Sequence, residues 1–159
     1  MKKLLSNFFL TSLVFISRLS MLPANVSPLG SFGFFGKKWI WYFSSILAFD
    51  ALVGGFYQGF WWTYAGFLVY PLFGYLSRAK VSRQLMLLPA ASMAFFLLSN
   101  FGVFLAWYEF SLQGFLTCYA LALPFYSRTL LGDLFFGYGF MAVRYLVKQH
   151  RLSLRVFPL

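Results

Sequence analysis

Acidic side chains are nearly missing from this chain: its 159 residues hold three Asp or Glu, along with one His and one Cys. One cysteine cannot form an intrachain disulfide, and His150 with Cys118 falls short of the ligands that a zinc site takes. Catalytic constellations are missing as well. No His lies in an apolar stretch, Cys118 has no base near it, and there is no glycine-rich phosphate loop or ATP-binding motif. Proton relay between Asp50 and Asp133 is the one acid–base chemistry left, so the chain does not read as an enzyme, and neither cofactor nor metal is expected. Charge as a whole is scarce, at 10% of residues against about 25% in a soluble domain.

Apolar residues fill the space, at 61% with 24% aromatic, where soluble domains reach about 45–50% apolar. The length allows a single integral membrane domain over residues 1–159. A spanning helix needs roughly 20 apolar residues, so about six spans with short loops is the ceiling. The net charge of +10 does not point to nucleic acid, because the cations fall in small groups between apolar runs and form no basic stripe. Lys2 and Lys3 ahead of an apolar run resemble a secretory signal, but Arg18 inside the run and the lack of a small-x-small cleavage site favour a retained first helix.

The expected fold is all-α: a polytopic transmembrane bundle of about six helices with a short second helix and a broken last region. The first span covers about 4–22 and is stopped by Pro23. Ser27 before Pro28 reads as a helix start, since the hydroxyl can cap free N–H groups and Pro suits the first turn. The second helix, 28–37, is too short to cross unaided. Further spans are expected at 39–57, 59–77, 85–107 and 129–147. Pro124 and Arg128 divide the last apolar region, leaving a short helix at 114–126.

Cytoplasmic loops carry the excess of Lys and Arg. With six crossings and both termini in the cytoplasm, every one of the 13 cations except Arg18 and Arg128 falls on the inner side. Counting about 1.5 Å per residue then puts Arg18, Asp50, Asn100 and Asp133 in the outer half of the hydrocarbon layer, with Asn25 and Arg128 just above them. A charged group inside a span costs roughly 2.5–3.5 kcal/mol, so such groups face partners or a wet cavity. Two readings stand side by side: an Arg18–Asp50 pair with Asn100 bonding across helices, and a polar pocket open to the outside. Tyr57, Trp61, Trp62, Tyr119 and Tyr126 are either pocket lining or interface anchors.

One ordered series of residues carries a resemblance. It runs through Arg18, Pro23, Asn25, Ser27, Pro28, Gly30 and Asp50, then Phe95–Val103, Gly114, Cys118, Tyr119, Pro124, Phe125 and Thr129–Asp133. The series resembles an uncharacterised family of small bacterial inner-membrane proteins, a domain of unknown function. That family is similar in size and layout to the substrate-binding S components of energy-coupling factor transporters. The chain departs from the family pattern at Met21–Ala24, where a His and further prolines usually stand. It also lacks the pair of alanines in helix one by which S components dock their coupling subunit.

The resemblance and the polar cluster together imply a membrane-embedded, S component-like subunit for uptake of a small polar or anionic nutrient. Its partners would be the bilayer, an unidentified small molecule, and a membrane coupling subunit with ATPases. Arg18 and Arg128 would be counter-charges, Asn25 and Asn100 hydrogen-bonding groups, and Asp50 and Asp133 orienting partners. The alternative is a structural or assembly protein of the inner membrane with no small-molecule ligand.

Overall fold

The computed structural model describes residues 8, 11–12, 14–16 and 19 and all of 22–156, with side chains through 150. Among these residues all regular structure is helical. The described positions between Phe8 and Ile16 are helical. Beyond them come α1 (Leu29–Phe35), α2 (Trp39–Phe49) with a wider π turn at Asp50–Gly54, α3 (Phe60–Ser77), α4 (Val81–Trp107) and α5 (Leu112–Val156).

Contacts between named residues fix the direction of each helix. Along α3 and α4, Gly59 meets Gly102, Trp62 packs on Phe101, and Gly66 meets Phe95, an antiparallel register. α4 and α5 are also antiparallel. Tyr119 donates to the Leu97 carbonyl at 2.7 Å, and Tyr138 donates to that of Leu85 at 2.9 Å. α2 runs against α3, because the Tyr42 hydroxyl reaches the Phe67 carbonyl while Asp50 lies beside Tyr64. α1 instead runs parallel to α3 and α5, with Gly30 at Tyr70 and Asp133, and Phe34 at Gly74. One end of the bundle therefore gathers Lys37, Lys38, Arg78, Lys80 and Arg83. The opposite end gathers residues 22–28, 55–59 and 108–111.

The core lies where these helices converge and holds Leu29, Phe34, Tyr42, Ile46, Phe67, Tyr70, Leu88 and Ala91. Close approach depends on missing side chains. A Cβ at Gly74 would lie 1.8 Å from the Phe34 carbonyl oxygen, so α1 rests directly on the α3 backbone. Gly59 opens α3 in the left-handed region at φ 85°, where a residue with a Cβ is strained.

The largest departure from expectation is α5. Instead of a short helix at 114–126 and a separate span at 129–147, a single helix of 45 residues passes through Pro124 and Arg128. A mid-helix proline removes one backbone hydrogen bond, a cost that tertiary contacts can exceed. Phe96 of α4 packs on Tyr119 and Tyr126, at 5.6 and 4.6 Å between ring centroids, and so grips α5 on both sides of the proline. Arg128 is exposed and interrupts nothing. At 1.5 Å per residue α5 is about 68 Å long, and its last turns project past the start of α4. α1 is short as expected, with seven residues. Its N-cap is Pro28, while Ser27 Oγ accepts a long bond of 3.4 Å from the Leu29 N–H.

Candidate functional site

Among the described residues the one buried acidic side chain is Asp133, on α5, at 2% exposure. Its carboxyl accepts a short hydrogen bond of 2.5 Å from the Tyr70 hydroxyl of α3, while its backbone carbonyl accepts one of 2.9 Å from Ser31 of α1. Three helices thus meet at one residue. Gly30 makes this possible: a Cβ there would fall 2.1 Å from Asp133 Oδ1 and 2.6 Å from the Tyr70 ring. The fully buried Ser92 hydroxyl of α4 lies beside the same carboxyl and phenol.

Two adjoining cavities open beside the node, at the end of the bundle away from the lysines. The first, of about 270 Å³, is lined by residues 22–27, by Gly30 and Phe49, and by Phe67, Tyr70, Phe95, Thr129 and Asp133. The second, of about 220 Å³, lies between α4 and α5, with Ser99, Asn100, Val103, Ala122 and Tyr126 in its wall. Asn25, Phe95 and Thr129 belong to both. Residues 22–28 form no regular structure and cover this region. The Val26 N–H bonds the Pro23 carbonyl at 2.9 Å, and Asn25 turns the chain at φ 67°. Asn is among the few residues that tolerate that conformation.

The residues singled out from the sequence divide into three groups. Asn25, Asn100 and Asp133 are brought to the cavities. Among the described residues the Asn100 amide makes no bond across helices: its Nδ2 donates to Phe96 of its own helix at 2.8 Å, and the Cys118 thiol of α5 reaches its backbone carbonyl at 3.6 Å. Asp50 lines neither cavity. It accepts a bond of 2.9 Å from Tyr64, one residue after Phe49, which does line the first. Arg128 also lines neither. Arg18, the expected partner of Asp50, lies outside the described residues.

Of the aromatic candidates, Tyr57 and Tyr126 line the second cavity, whereas Trp61, Trp62 and Tyr119 line neither. Tyr119 instead binds the α4 backbone. Sequence reasoning missed Tyr70, Thr129, Ser92 and the role of Gly30. The available signal was weak, a single phenol at mid-helix in an apolar segment that runs from Phe67 to Phe73. Among the described residues no three His, Cys, Asp or Glu side chains gather into a metal-binding group.

Two of the described helices, α4 and residues 112–150 of α5, are long and apolar enough to cross a membrane. The chain matches no curated protein and no solved structure. A family profile does match, over residues 1–154, and on that ground the chain belongs to DUF6580, a family of unknown function.

Proposed function

We propose that the chain is a polytopic inner-membrane protein that captures a small polar molecule from the outer side, as the substrate-binding subunit of an uptake system. The observation that carries this reading is the stretch 22–28 above the seven-residue α1. Non-helical backbone is tolerated at membrane depth only where it is buried in protein or lines a water-filled cavity, and residues 22–27 line a cavity.

Several features support the membrane setting. Large apolar side chains face outward along α4 and α5, among them Met86 at 73% exposure, Leu131 at 64% and Phe135 at 76%. Contiguous apolar surface on that scale suits lipid rather than water. α3 adds 18 residues without a charge. The cations between α1 and α2 and between α3 and α4 share one end, which the positive-inside rule makes cytoplasmic. The cavities then face outward, and both termini lie inside. With no ATP-binding motif in the chain, energy would come from a coupling subunit with ATPases, as in the S component-like systems that the layout resembles.

A test is mass spectrometry of small molecules released from protein purified in mild detergent. Wild type should retain a ligand that Asn100→Ala loses by about tenfold or more, with its helical circular dichroism unchanged. Wild type that carries nothing, or a variant that carries as much, would reject the site in favour of a purely structural role. That second reading draws on one observation: Asp133 is already bonded within the protein, to Tyr70.

A further inference from the structure

The two cavities differ in chemistry from what an anion needs. Among the described residues no Lys, Arg or His lines either cavity, and the one carboxyl that does is that of Asp133. The walls around that carboxyl are aromatic. Phe67 and Tyr70 both contact Phe95, with centroids 4.7 and 5.7 Å away. Aromatic faces next to a buried carboxyl attract cations and disfavour anions, both through the ring quadrupole and through direct charge. Farther from Asp133 the second cavity is neutral and polar, with the amides of Asn25 and Asn100 and the hydroxyl of Ser99. Each space exceeds the ~150 Å³ void that suffices for a benzene ring.

Building on the capture reading above, we infer that the joined cavities form one chamber for a flat, ring-bearing organic cation. Its ammonium or amidinium group sits against Asp133 beside the rings of Tyr70 and Phe95. Its uncharged portion, with hydrogen-bonding atoms, extends past Thr129 toward Asn25 and Asn100. Arg128 stays outside, so among the described residues an anion finds no counter-charge.

Three probes with one ring system and different charge test this on the full chain in detergent: tryptamine, tryptophol and indole-3-acetate. Tryptamine at saturation should raise the unfolding midpoint by about 3 °C or more, tryptophol by less, and indole-3-acetate not at all. Asp133→Asn should weaken tryptamine at least about tenfold. Because that variant also alters the Tyr70 bond, Thr129→Trp serves as a second one. It fills the junction of the cavities without touching the charge and should abolish stabilisation by tryptamine. Equal stabilisation by indole-3-acetate, or tryptamine binding that survives Asp133→Asn undiminished, overturns the cationic class and leaves capture standing. No stabilisation by any probe also overturns the cationic class. Capture falls with it only where mass spectrometry finds no retained molecule.

Discussion

Gly30 is the residue on which the site turns, because the Asp133 carboxyl and the Tyr70 ring occupy the space where its side chain would be. Gly30→Ala should cost about 3 kcal/mol, as overpacking forces α1 away from α3 and α5. Gly139→Ala is the control. Its Cβ would meet nothing within 4 Å, and a helical glycine replaced there should gain roughly 0.5–1 kcal/mol. Thermal unfolding of both variants in the same detergent checks the contrast, and equal midpoints would remove Gly30 from its role. Tyr70→Phe keeps the ring and deletes the hydrogen bond to a carboxyl at 2% exposure. It should cost about 1–3 kcal/mol in the same measurement, since the carboxyl is left with an unmet acceptor.

Among the elements, α3 and α4 show most clearly what the residues announce. Gly59 marks the start of α3, and Arg78 and Lys80 mark the turn into α4, because a glycine supplies the left-handed conformation of a turn and grouped cations interrupt an apolar run. α5 was not readable in this way. Pro124 and Arg128 are local signals for a break, but the grip of Phe96 on Tyr119 and Tyr126 is long-range and leaves no trace in the local pattern. The π turn at Asp50–Gly54 escaped for a similar reason, since its wider winding shows only in the hydrogen bond from the Gly55 N–H to the Asp50 carbonyl. Asn25, Asn100 and Asp133 stood out as polar groups in apolar surroundings. The aim of the Asn100 amide, by contrast, depends on its rotamer and its helix backbone. The continuity of α5 has its own test. Pro124→Ala should leave helical circular dichroism unchanged and raise the midpoint, as helix preference adds up to about 3 kcal/mol of stability. A lowered midpoint would mean that the proline serves as a needed hinge.

For the molecule as a whole, the separation of cations from cavities is the feature open to direct measurement. In a Cys118→Ala background, Lys38→Cys and Lys80→Cys should resist a membrane-impermeant maleimide added to intact cells, whereas Glu109→Cys should react. Labelling of Lys38→Cys and Glu109→Cys from the same side would contradict the arrangement. The Ser31 bond to the Asp133 carbonyl has a consequence of another kind, since it joins positions 102 apart along the chain. α1 is about 10 Å long, and the partners that shelter it include α5, which is translated after α2, α3 and α4. As the polypeptide leaves the ribosome, this early segment must wait, half-assembled, until α5 arrives to cover it.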